Sequence, residues 1–446
     1  MARRLRRAHG LTAWGTSLGL CAGLAAAPAA AGPGANADVL GGELLLRYDA
    51  RRAGDGGPIA AANKFVPGIA SPATGMMEAQ AELRGIWRAP AIGAARASLV
   101  GAAFVSTERR AWGDSRETQA RARLNEGFAA GDFGNWQASA GKRVVAWDIG
   151  QAFRPNDVVQ QEARRTQLAH LQEGRPLLEI ERYDADTAGA LVWVNPQHAN
   201  VATDAQRGAD ESALAARGYA HDGSADWHIY GRCGRHTRAS VGAALAWVAT
   251  EEVELHASAR LMQHHDGWRI DPQAASAPVG ANPWRRATLG RSAQGLLGGS
   301  WTGTDQISVL IEWWYDGTTL ADRDWDTWRL RNHALALFGS QPGLPPNLVA
   351  AAAGNLAWQA TPLSDGNLRR DNVFVRLAWQ PPRWVVSLDA LHAPRDRGHV
   401  ITATAQWQGE RIRLDAAWRI YGGPADSLFA QLPQRRAFAL AASRPF

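Results

Sequence analysis

Three patterns in this 446-residue chain carry residue types that do chemistry. Gly15-Thr16-Ser17-Leu18-Gly19 spells a serine-hydrolase elbow, but it sits in an apolar N-terminal stretch rather than between a strand and a helix, so it matches in letters only. His221, His228, His236, His256, His264 and His265 lack tight metal-ligand spacing. Asp322, Asp324 and Asp326 alternate like the opening of a calcium loop, yet Thr327 replaces the required glycine and no closing Glu follows, so the run reads as a solvated loop. No catalytic residue, metal or cofactor is expected. What remains is charge laid out in alternation. Arg84, Arg88, Arg121, Arg123, Arg260, Arg376, Arg383, Arg411, Arg413 and Arg419 share one face of alternating segments with Glu82, Glu179, Glu181, Glu252, Glu254, Glu312, Asp389 and Asp415. A wall charged on one side and apolar on the other suits water inside and lipid outside, and lumen charges set ion selectivity. With both signs present the bias is slight and toward anions, and neighbouring pairs also satisfy one another across strands.

The elements that must position those charges are strands. Ala79, Ala81, Leu83, Gly85 and Trp87 oppose Gln80, Glu82, Arg84 and Arg88; Val253, Leu255, Ala257, Ala259 and Leu261 oppose Glu252, Glu254, His256, Ser258 and Arg260. Such segments recur near 40–48, 79–88, 97–107, 117–129, 134–144, 177–183, 187–194, 212–219, 226–232, 238–248, 252–263, 291–302, 306–316, 368–379, 383–391, 399–407, 411–421 and 435–446. These amount to about 18 strands, with 16 as the fallback, an even number that closes an all-β, antiparallel up-and-down transmembrane barrel with both termini periplasmic. Many of the 20 Trp residues lie near segment ends, as aromatic girdles require. Links at 130–132, 184–186, 249–251, 303–305, 380–382 and 408–410 are short and belong to one side. Those at 49–78, 145–176, 195–211, 264–290 and 317–367 are long and belong to the other.

Residues 1–31 read as a secretory signal peptide, with cleavage as late as 37: Arg3, Arg4, Arg6 and Arg7 precede an apolar stretch and small-residue sites. Its removal lowers Lys+Arg from 48 to 44 against 42 acids, so the basic balance says little about nucleic acid. Only Cys233 follows Cys21, which precludes an internal disulfide. Residues 38–446 form a single barrel domain. Its last strand resembles the closing strand of Gram-negative outer-membrane barrels, whose terminal aromatic is read by the insertion machinery, which gives Phe446 that role.

The segment after residue 144 is the candidate constriction. Asn156 is a fair N-cap, Val158 to Glu173 carry helix formers, and Gly174 is a natural stop, so a polar helix within 145–176 is expected to cover or enter the lumen. Arg143, Arg154 and Asp157 then lie near the narrowest point, with Arg121, Arg123, Arg411, Arg413, Arg419, Glu252 and Glu254 lining the pore. The stretch Gly141–Asp157, with Gln294-Gly295-Leu296-Leu297-Gly298, Glu312-Trp313-Trp314-Tyr315 and Tyr421–Ser427, resembles a proteobacterial group of porin-like, alginate-export-like outer-membrane barrels. The resemblance implies a substrate channel in the bacterial outer membrane that passively admits small hydrophilic solutes. It also implies lipid and lipopolysaccharide as surroundings, no nucleic-acid partner, and a monomer or homotrimer. The alternatives are a component of an export or envelope-assembly system, and a lipid hydrolase; the latter needs an outward Ser and His in register, and none is found.

Overall fold

A strand with one apolar and one charged face cannot satisfy both in a flat sheet, and closing the sheet separates the two environments and removes its edges. The computed structural model shows that closure. It describes residues 39–446 apart from 71–73, 90–94, 113–114, 162–172, 199–207, 272 and 274–281, so the expected signal peptide lies outside the described residues. The first half comprises β1 (Val39–Ala53), α1 (Gly57–Phe65), β2 (Gly75–Arg88), β3 (Ala95–Trp112), β4 (Ser115–Phe133), β5 (Trp136–Arg143), β6 (Arg175–Tyr183), β7 (Thr187–Val194), β8 (Ala213–Asp222), β9 (Ala225–Gly234), β10 (Arg238–Val248) and β11 (Val253–Met262). A separate hairpin follows, β12 (His265–Ile270) and β13 (Trp284–Leu289), then β14 (Ser292–Thr302), β15 (Ile307–Asp316), α2 (Asp322–Gly339) and α3 (Pro346–Trp358). The chain ends with β16 (Asp371–Trp379), β17 (Trp384–Ala393), β18 (Gly398–Gln408), β19 (Arg413–Gly422) and β20 (Gln434–Pro445).

Setting the hairpin aside, 18 strands pair antiparallel in chain order, and β20 pairs back onto β1 to close the barrel. All 18 alternating segments of the sequence are strands, and 187–194 and 238–248 agree at both ends. The seam is finished by the last residue: Phe446 N–H donates to Gly42 O at 3.0 Å, and Gly42 N–H donates to Phe446 O at 2.9 Å.

The outer face is apolar. Leu46, Leu83, Leu99, Leu124, Ile180, Leu191, Ile229, Val241, Leu261, Leu297, Ile311, Leu377, Leu388 and Leu440 are all exposed around the circumference. Water-facing monomers rarely expose contiguous apolar patches beyond a few hundred Å², whereas these residues ring the whole barrel. One rim carries only short links, among them 134–135, 184–186, 223–224, 303–306, 380–383 and 409–412. Outward tryptophans cluster there: Trp87, Trp136, Trp227, Trp247, Trp301, Trp379 and Trp384. Two of their indoles reach toward the links, Trp247 Nε1 donating to Ser224 Oγ at 3.1 Å and Trp301 Nε1 to Glu252 at 3.0 Å. An apolar ring with one wet N–H suits a boundary between apolar and aqueous layers. The aromatic girdle is thus concentrated at this rim.

The opposite rim carries the long links and a cap that the alternation did not reveal. The Asp322, Asp324, Asp326 run opens α2 rather than a solvated loop: Asp322 and Asp324 lie in the first turn, where carboxylates oppose the helix dipole, and Asp324 accepts the Ala321 N–H at 3.0 Å. Trp325 and Trp328, one turn apart, are buried edge-to-face at 5.4 Å among Leu363, Leu368, Leu428 and Phe429. α1, α2 and α3 pack through Ala62, Leu335 and Leu356.

Candidate functional site

Inside the barrel the wall has two halves of different chemistry. Inward positions of β6 to β10 include Leu177, Val192, Val194, Ala215, Tyr230 and Ala244, which are buried and apolar. Apolar residues facing a lumen need a cover, and the chain supplies one. After β5 the segment 144–161 turns into the barrel and lays Val145, Trp147, Val158 and Val159 on that half, where each is buried. Burial of a large apolar side chain contributes about 1.5–3 kcal/mol, so this cluster fixes which side of the lumen the segment occupies.

Polar clamps fix its height. Glu312 on β15, fully buried, accepts the Gln151 and Ala152 N–H groups at 2.7 and 2.8 Å and is paired with His256 Nε2 at 3.0 Å. Asp148 accepts from Asn156 N at 2.6 Å and from Ser258 Oγ at 2.9 Å; burial pushes its carboxyl above the usual carboxylate range, against those hydrogen bonds. Asn156 Nδ2 donates to Ser258 Oγ at 2.9 Å and Ala259 O at 3.0 Å. Arg232 donates to Val158 O at 2.7 Å, Tyr230 OH to Trp147 O at 3.1 Å, and Phe153 stacks on Trp314 at 5.5 Å. The helix expected to follow Asn156 does not start there: 158–160 form a turn, and Gln161 has φ +48°. The rest of that expected helix, 162–172, lies outside the described residues.

At Gly242 on β10 the segment lies directly against the wall, since a Cβ there would overlap the Asn156 side chain. Gly242→Val is expected to push the segment off β10 and, because the new Cβ also falls 2.7 Å from Ala259 O on β11, to strain the β10–β11 ladder locally without opening the barrel. Increased proteolysis within 144–161 of the detergent-purified barrel, with unchanged heat-modifiable mobility, would register this; unchanged protease resistance would contradict it.

Above the segment, on the long-link side, lies a polar cavity of about 570 Å³. Arg154, Asp157 and Gln160 meet Arg175, Arg260, Asp210, the hairpin residues His265, Asp266 and Arg286, and Asp316, Asp365 and Asn367. Several of these charges are paired: Arg175 with Asp210 at 3.1 Å and Arg286 with Asp365 at 2.6 Å. Burial holds His265 below its ordinary pKa and so neutral near pH 7. Gln160, buried, donates to Glu173 O at 2.6 Å, and its Oε1 has no partner among the described residues. The cavity therefore offers hydrogen-bond donors and acceptors of both signs with little net charge.

Of the candidate constriction and pore residues, the structure brings Arg154 and Asp157 to this cavity, where they meet Arg260 from the predicted charged face. Arg143 is held at the wall by Glu179 and lies over the Phe128 ring at 5.2 Å. Arg121 and Arg123 stand on β4, Arg121 donating to Gln119 at 3.0 Å and Arg123 to Asn125 at 2.7 Å. Arg413 is paired with Glu43 at 3.0 Å and Asp415 at 3.1 Å, and Arg419 donates to Thr402 at 2.9 Å. Glu254 is on β11, 3.9 Å from His256. Arg411 and Glu252 are corrected: both belong to exposed short links, because β19 starts at Arg413 and β11 at Val253. Glu312, which its alternation had put on the lumen face, carries the site together with Asp148, Trp147 and Ser258, which had not been singled out as lining. The signal for the apolar half was β7, where both faces read apolar, Ala190, Val192 and Val194 on one and Leu191 and Trp193 on the other.

No family model and no curated protein matches the chain. Solved structures of engineered Rhodopseudomonas blastica porin variants are similar to it, one at 9% identity and another at 10%, each with a TM-score of 0.45 and covering 92% of this chain and 100% of that chain.

Proposed function

We propose that this chain is an outer-membrane channel of the porin type, which passively admits small hydrophilic solutes. The observation that carries this is the 144–161 segment clamped inside a closed 18-stranded barrel whose outer face is apolar. The apolar band meets the bilayer core, and the tryptophan rim with short links faces the periplasm. The cavity above the segment is the vestibule. Solutes exchange hydration for its mixed donors and acceptors, then pass between the segment and the charged half of the wall formed by β1 to β4 and β16 to β20. Because most charges there are paired, uncharged and zwitterionic solutes cross with the least electrostatic cost. The backbone bonds of Phe446 to Gly42 in the seam support the reading that the insertion machinery recognises this residue. Purified protein in planar bilayers is expected to give discrete conductance steps. A folded, heat-modifiable barrel without conductance would overturn the channel while leaving the membrane assignment standing.

A further inference from the structure

The outer wall at the closing seam departs from the apolar rule toward the long-link rim. Arg52 on β1 and Arg436 on β20 stand directly opposite each other, exposed and facing outward, near the long-link rim. Arg109 on β3 also faces outward, opposite Met77. None of the three makes a hydrogen bond or ion pair among the described residues. No Asp or Glu stands on the outward face of β19, β20, β1, β2 or β3 among the described residues. Like charges set directly across a ladder repel, so this arrangement needs an anion that the chain does not supply.

Immediately toward the other rim, the same face carries an apolar groove of about 1010 Å³. Its floor is formed by small outward residues such as Ala405, Ala416 and Ala442, its sides by Leu46, Tyr48 and Leu440, and Arg109 borders it. The registers Ala416↔Ala405, Ala442↔Leu414 and Leu46↔Ala442 keep these positions contiguous across the seam.

We propose that the seam binds lipid A of the outer leaflet: the arginines take its phosphates and the groove takes acyl chain. This rests on the outer-membrane reading, which puts the long-link rim in the leaflet that carries lipopolysaccharide. Charge complementarity selects this occupant over a second copy of the chain, whose equivalent face is also cationic, and over zwitterionic phospholipid, which brings no net anion. Arginine suits the role because its planar fork binds phosphate through two hydrogen bonds.

The test is binding of rough-type lipopolysaccharide to the detergent-purified full chain, read by native mass spectrometry and by titration. The triple variant Arg52→Gln, Arg109→Gln, Arg436→Gln is expected to weaken binding at least ten-fold. Ala416→Trp, which fills the groove without touching charge, is expected to weaken it too. Arg444→Gln removes an outward arginine of the same seam at the short-link end and is expected to change nothing. Dephosphorylated lipid A is expected to bind poorly. Wild-type affinity in the triple variant, equal loss in Arg444→Gln, or equal binding of dephosphorylated lipid A would each overturn the proposal, as would a dimer or trimer that excludes lipid from the seam. Outer-membrane fractionation and heat-modifiable mobility are measured on the same samples. Their failure would sink the membrane reading, whereas lost lipid selectivity in a properly fractionating barrel would sink only this site.

Discussion

Glu312→Ala is expected to raise single-channel conductance and open-channel noise, because it removes the acceptor that holds the lumen segment across the pore. The carboxylate is fully buried and takes two backbone N–H groups and a histidine. Its loss leaves those donors unsatisfied in a water-poor niche, and breaking a buried pair costs about 3–5 kcal/mol. At about 1.4 kcal/mol per decade, the ratio of clamped to released segment falls by roughly two to four orders of magnitude. The apolar cluster of Trp147, Val158 and Val159 remains, so release is confined to the turn around Gln151 and Phe153 rather than the whole segment. Glu312→Gln keeps one acceptor oxygen and should fall between wild type and alanine. The measurement is single-channel recording of the three proteins side by side; equal conductance in wild type and Glu312→Ala would show that the 150–153 turn does not limit flow.

The strands were legible because a wall between lipid and water imposes a period of two that no helix shares. That constraint is weakest where the lumen is filled, and there the sequence misled. Asn156 followed by helix formers looks like an N-cap, but its side-chain amide is used on Ser258 and Ala259 across the lumen, and Gln161 turns left-handed just beyond. A local signal lost to a tertiary one that lies about a hundred positions away in sequence. Arg411 and Glu252 failed for a smaller reason: one or two residues at a strand end decide between lumen and link, and alternation does not stop sharply at a turn. The hairpin β12 and β13 was hidden because its two short strands lie on either side of a long connection rich in Ala and Pro. The acidic triplet at Asp322 was read for its spacing alone, while the decisive residues were the tryptophans interleaved with it, Trp325 and Trp328, which only a buried helix face explains.

The second large effect concerns charge, and it separates two kinds of arginine that look alike in sequence. Arg376 is bound through two hydrogen bonds of 2.7 Å to Asp389, and Arg413 sits between Glu43 and Asp415. Neutralising either strands a carboxylate, so Arg376→Gln is expected to cost stability first and to alter permeation second. Arg121 differs. It is exposed on β4 and its polar partner is the neutral Gln119, so its charge is offered to the lumen rather than consumed by the wall. A unit charge about 8 Å from a permeating ion in water is worth about 0.5 kcal/mol, and reversing its sign therefore changes the ion's energy by about 1 kcal/mol, roughly five-fold in occupancy. Arg121→Glu is expected to shift the zero-current potential under a salt gradient toward cation preference, and to do so less as ionic strength rises, since the screening length falls from about 10 Å at 0.1 M to about 3 Å at 1 M. Arg376→Gln is expected to leave that potential nearly unchanged while lowering the temperature at which heat-modifiable mobility is lost. If the two variants exchanged these phenotypes, the Arg376–Asp389 pair on β16 and β17, and not Arg121 on β4, would set the field that permeating ions feel along the charged half of the wall.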